Sequence, residues 1–83
     1  MTYNECLEEL RKATNIDLHL EIMFGKKYIL TKEGEKIFRL PHNINKFDEL
    51  DTFNRFKEFK EEEQKQMIEI VNKLIATGYM SRF

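Results

Sequence analysis

The stretch Asp17-Leu18-His19-Leu20-Glu21-Ile22-Met23-Phe24-Gly25 decides the fold. Leu18, Leu20, Ile22 and Phe24 alternate with Asp17, His19, Glu21 and Met23. Alternation at two residues predicts a strand with one buried face, and Gly25 is the natural turn after it. The segment before it runs at a different period. Tyr3, Cys6, Leu7, Leu10 and Ala13 fall on one helical stripe, with Glu8, Glu9, Arg11 and Lys12 opposite. Thr2 and Glu5 form a capping-box pattern, and Thr14-Asn15 is a plausible stop. A helix from about Tyr3 to Ala13 therefore precedes the strand.

The segment after the strand admits two readings. Tyr28-Ile29-Leu30-Thr31 and Lys36-Ile37-Phe38-Arg39-Leu40 flank Lys32-Glu33-Gly34-Glu35. A hairpin with Glu33-Gly34 at its tip sets Ile29 opposite Phe38 and Leu30 opposite Ile37. The competing reading makes Thr31 a helix N-cap, with a helix ending before Pro41. The hairpin is preferred and completes an antiparallel meander of three strands. Pro41-His42-Asn43-Ile44-Asn45 reads as a loop.

Phe47, Leu50, Phe53, Phe56 and Phe59 follow at a spacing of three. An α-helix turns ~100° per residue, so these positions drift by ~60° per step and cannot share one narrow face. A short helix, a 3₁₀ stretch or two separate surfaces would account for them. The last element is a long helix over Glu61–Thr77, with Met67, Ile70, Val71, Leu74 and Ile75 on its stripe and Gly78 as its C′ cap. Together these elements predict one small α+β domain over residues 1–83: N-terminal helix, three-stranded antiparallel meander, short Phe-rich helical segment and long C-terminal helix.

Composition bounds the function. A chain of 83 residues buries only about 64% of its unfolded surface. Its 14 Lys+Arg against 15 Asp+Glu argue against a chain built to coat nucleic acid or an acidic membrane. A single cysteine forms no internal disulfide. No apolar run approaches the ~20 residues of a membrane span, and there is no signal-peptide core, so a cytoplasmic location is expected. With seven Phe, eight Ile, ten Lys and six Asn against two Ala, the codon usage implied is AT-rich. A low-GC bacterial genome, or a phage or mobile element living in one, fits that bias.

Chemistry-bearing constellations are sparse. Cys6 lies on an apolar stripe, where a thiol acts as a small hydrophobe. Asp17, His19 and Glu21 share a strand face with ~7 Å spacing, a row able to meet a divalent metal or simply the polar side of an amphipathic strand; the second is preferred. His42 reads as an exposed loop ring. No glycine-rich phosphate loop, Cys/His metal spacing or nucleophile turn is present. No catalytic residue, metal or cofactor is assigned, and a non-enzymatic protein is expected.

Two binding readings remain. The phenylalanines of the Phe47–Phe59 window fit core packing; read instead as surplus aromatic surface in so small a domain, they point to a protein-interaction module that binds or blocks a larger protein, or pairs with itself as a homodimer, through Phe47, Phe53, Phe56, Phe59, Tyr79 and Phe83. The alternative is a nucleic-acid-binding regulator using Lys26, Lys27, Lys32, Lys36 and Arg39 on a hairpin wing. The run Tyr28-Ile29-Leu30-Thr31-Lys32-Glu33-Gly34 resembles the strand-to-helix junction of winged-helix regulators. The resemblance covers seven residues, and Asp17–Phe24 alternates where that family needs helices.

Overall fold

The computed structural model describes residues 1–40 and 51–76. The expected loop at 41–45, Phe47, Leu50, Gly78, Tyr79 and Phe83 lie outside the described residues.

Helix α1 (Tyr3–Thr14) opens on the expected capping box. The Thr2 hydroxyl accepts the Glu5 N–H at 3.1 Å, and the Glu5 carboxylate accepts the Thr2 N–H at 2.9 Å. These bonds to Thr2 hold the Glu5 carboxyl below its ordinary pKa, because they favour the charged form. The helix ends where Asn15 turns left-handed (φ 59°) and donates its N–H to the Arg11 carbonyl at 2.7 Å. The Thr14 hydroxyl, buried, donates to the Leu10 carbonyl at 2.8 Å.

The α+β architecture is as expected, with strands β1 (Leu18–Met23), β2 (Lys26–Thr31) and β3 (Lys36–Arg39) forming an antiparallel meander. A two-residue strand β4 (Asp51–Thr52) extends it, in the order β1-β2-β3-β4. The meander settles residues 26–40 as a hairpin and excludes a helix after Thr31. In its turn, Gly34 donates to the Thr31 carbonyl and Thr31 donates to the Glu35 carbonyl, both at 2.9 Å. Gly34 sits at φ 90°, so Lys32-Glu33-Gly34 is a three-residue loop that needs glycine in its last place.

The register corrects one expectation. Ile29 faces Phe38, but Leu30 faces Lys36 rather than Ile37. A β-bulge leaves Ile37 without a cross-strand partner. The physical gain is burial: with the extra residue, neighbours Ile37 and Phe38 both become fully buried in one core, which strict alternation forbids.

Helix α2 (Asn54–Lys57) is a short turn, and helix α3 (Glu61–Ala76) is the long C-terminal helix. The backbone N–H of Phe56 donates to the Phe53 carbonyl (3.0 Å), and that of Phe59 to the Phe56 carbonyl (3.2 Å). Three-residue steps eclipse side chains i and i+3, which turns Phe56 and Phe59 the same way. Glu63 caps α3 by accepting the Lys60 N–H at 3.1 Å. The core joins Cys6, Leu7 and Leu10 of α1 with Met67, Val71 and Leu74 of α3, Ile29, Ile37 and Phe38 of the sheet, and Phe56 and Phe59. Lys73 reaches Glu9 across the helix pair at 3.6 Å; both ends are solvated, so the pair contributes little.

Candidate partner-binding surface

The β1–β2 hairpin closes on Phe24 (φ 53°) and Gly25 (φ 74°), with Met23 facing Lys26. Two successive left-handed residues define a type I′ turn, whose twist suits a two-residue hairpin. Glycine adopts this conformation freely, whereas a phenylalanine there pays roughly 1–2 kcal/mol in contact between Cβ and backbone. Its side chain gains nothing in return within the monomer, since Phe24 is 98% exposed.

Phe24 ends a gradient. Leu18, Leu20 and Ile22 occupy the sheet face that meets the helices, because they oppose Thr31, Ile29 and Lys27. Leu18 is fully buried, Leu20 half-buried, and Ile22 54% exposed. The expectation that Leu18, Leu20, Ile22 and Phe24 form one buried face is thus corrected at its outer half. The alternation continues along the strand past the point where other apolar groups cover it.

The same hairpin carries an open edge. Among the described residues no strand pairs with the outer side of β1. Counting back from the closing pair Met23–Lys26, the pairs Glu21–Tyr28 and His19–Leu30 exchange bonds across the hairpin. Leu18, Leu20 and Ile22 therefore direct their peptide N–H and C=O outward. The Leu18 carbonyl is met by Arg11, whose Nε donates to it at 2.9 Å and lies 3.6 Å from Asp17 Oδ1. Leu20 and Ile22 present the rest of the edge.

The opposite sheet face gathers different groups. His19, Glu21, Lys26, Tyr28, Lys36 and Arg39 fall there by register. Phe53 joins them, its ring 6.2 Å from that of Tyr28. Lys36 Nζ stands 4.8 Å from the Tyr28 ring centre and 5.8 Å from that of Phe53. The five basic residues expected on a wing are therefore divided. Lys26, Lys36 and Arg39 share this face, while Lys32 sits in the β2–β3 turn. Lys27 points to the helix side, where burial lowers its pKa.

The expected contact residues separate in the same way. Phe56 is 4% and Phe59 8% exposed, and both belong to the core cluster. For these two residues the core-packing reading of the window holds and the contact reading is corrected, since neither is available for contact in the folded monomer. Phe53 is half-buried against Tyr28.

Cys6 is buried in the core, and burial pushes its thiol pKa up to about 12, so the nucleophilic thiolate is suppressed. His19 Nε2 lies 3.4 Å from Asp17 Oδ2, and among the described residues no group of three His, Cys, Asp or Glu is placed to hold a metal ion. Among those residues no helix is long and apolar enough to cross a membrane.

Sequence reasoning missed Phe24 as a surface residue. The available signal was the pair Phe24-Gly25 between two strand-like runs, since a two-residue hairpin loop turns both of its residues away from the ladder. No protein-family model, curated protein or solved structure matches this chain.

Proposed function

We propose that this chain is a non-enzymatic protein-interaction module whose docking element is the β1–β2 hairpin. The carrying observation is Phe24, held left-handed and 98% exposed at the tip. Local strain at an exposed aromatic residue is a pointer to function, because neither feature benefits the isolated fold. Ile22 and the outward amides of Leu20 and Ile22 extend the surface along the edge. Such an edge takes another strand through backbone hydrogen bonds, and the aromatic tip supplies an anchor. Occupying or blocking a surface of a partner protein is the action this permits.

Capture with the tagged full chain tests the reading. The native chain should retain a stoichiometric protein partner, either a copy of itself or another chain. Ile22→Lys, a charge at a half-exposed edge position, should abolish that retention while circular dichroism stays unchanged. Equal retention by native chain and variant would overturn the reading.

A second reading rests on the opposite face, where Lys36 lies over Tyr28 and Phe53. Basic groups beside neighbouring aromatic rings suit single-stranded nucleic acid. Titrating an oligonucleotide at two salt concentrations decides it. Contacts from Lys26, Lys36 and Arg39 predict a log–log salt slope of about −2, from roughly 0.7 per phosphate on a single strand. No binding at low salt would remove this reading.

A further inference from the structure

We propose that the strand taken up by the β1 edge is β1 of a second copy, paired antiparallel about Leu20. The inference rests on the reading that the hairpin is the docking element, and it names the occupant.

The argument comes from the sequence of the edge. Leu18-His19-Leu20-Glu21-Ile22 is a chemical pseudo-palindrome: apolar, imidazole, apolar, carboxylate, apolar. An isologous two-fold contact sets residue i against residue j and j against i. With Leu20 on the axis, Leu20 meets its own copy, and Leu18 and Ile22 of one chain meet Ile22 and Leu18 of the other. His19 and Glu21 of one chain then meet Glu21 and His19 of the other, on the opposite face. Every cross-strand pair matches in character. The two exposed polar side chains of each strand find complementary partners, the half-buried Leu20 meets its own copy, and Ile22, 54% exposed in the monomer, comes to lie at the junction of the two sheets.

The two-residue shifts fail on charge, and shifts of four leave at most three residues of each six-residue strand paired. One two-residue shift sets Glu21 against Glu21 of the second copy. The opposite shift sets His19 against His19 and Asp17 against Glu21. Like charges placed directly opposite are destabilising. Odd shifts are closed, because they would set the helix-side face of one sheet against the outer face of the next.

The backbone agrees with the Leu20-centred register. Leu18, Leu20 and Ile22 are the residues whose amides point outward, and they are the ones that would exchange bonds. Leu20 is open at the axis, whereas Leu18 has no exposed surface and its carbonyl accepts from Arg11, so pairing of Leu18 with Ile22 of the other chain requires the Arg11 side chain to swing off the edge. The two four-stranded sheets become one continuous sheet, and the edge that would otherwise template uncontrolled pairing is closed.

Sedimentation velocity on the full chain over a concentration series tests the proposal. The native protein should approach twice the 10.1 kDa chain mass. His19→Glu sets two carboxylates against each other on each side of the axis, and should raise the dimer Kd about tenfold or more. Glu21→Lys alone sets a cation against the imidazole and should weaken the dimer in the same direction. The double variant restores opposite charges and should return Kd to within about threefold of the native value. His19 and Glu21 are exposed, so all three variants keep the fold, and circular dichroism checks this.

A monomer at every concentration overturns the second copy as occupant. So does a dimer whose double variant is no tighter than the single ones. If that monomer still retains another protein, and Ile22→Lys abolishes the retention, the hairpin reading stands without this inference. If Ile22→Lys changes neither retention nor mass, both fall.

Discussion

Phe56→Ala is expected to lower the unfolding free energy by about 3–5 kcal/mol, the range for removing a buried phenyl ring and leaving a cavity. Phe56 is 4% exposed, and its ring meets that of Phe38 edge-on, with centroids 6.1 Å apart and planes at 88°. That geometry sets the positive ring edge against the negative face. Phe38 is itself fully buried at the bulge, so the cavity would open beside the residue around which β3 is built. A chain of this length has roughly 4–12 kcal/mol of stability in all, taking about 0.05–0.15 kcal/mol per residue. The substitution therefore removes a quarter of it at the least. Urea denaturation should show the midpoint falling with little change in slope. Phe53→Ala is the control, because that ring is half-buried and should cost clearly less. A Phe56→Ala midpoint equal to that of Phe53→Ala would mean that Phe56 is not a core residue.

This contrast shows what the sequence could and could not convey. A spacing of three was enough to say that the phenylalanines do not share one face of an α-helix. It could not say which of them enter the core, because that depends on Phe53 staying extended ahead of the turn, on the three-residue step from Phe56 to Phe59 and on where β3 lies. The bulge was hidden for a similar reason. Ile37-Phe38 is an apolar pair that alternation must split between faces, and only an unpaired residue lets both point inward. By contrast, the capping box at Thr2 and Glu5, the left-handed stop at Asn15 and the glycine-closed turn at Gly34 are local. Their causes lie within four residues, and they were legible.

The docking surface was legible in part. Alternation reported correctly that Leu18, Leu20 and Ile22 share a face. It carried no information about how far that face remains covered. Periodicity records direction, whereas burial depends on which other elements lie over each position. The gradient from Leu18 to Phe24 is the difference between the two. The basic residues illustrate the same point, since a local excess of charge between Phe24 and Leu40 is divided by the pleat and the turn into three separate places.

Phe24→Asn should move stability and association in opposite directions. Asn-Gly is the favoured pair for a type I′ turn, because asparagine tolerates the left-handed region that phenylalanine occupies at a cost. Phe24 is 98% exposed, so the monomer loses no packing. The net gain in stability should be about 0.5–1 kcal/mol, a rise in Tm of roughly 2–8 °C for a domain of this size. Association should weaken by about 30-fold if Phe24 is an anchor, the equivalent of the roughly 2 kcal/mol that marks a hot-spot residue. The first measurement is a thermal melt at a concentration low enough to keep the chain monomeric. The second is the partner or self-association Kd. A lower Tm would mean that Phe24 packs within its own chain, contrary to its exposure. An unchanged Kd would remove the tip from the contact surface while leaving the β1 edge to be judged by the His19 and Glu21 variants. The opposite signs separate the two explanations for an exposed phenylalanine. A residue that serves the fold destabilises the monomer when removed. One that serves a partner leaves the monomer as stable as before, or more so, and weakens only the complex.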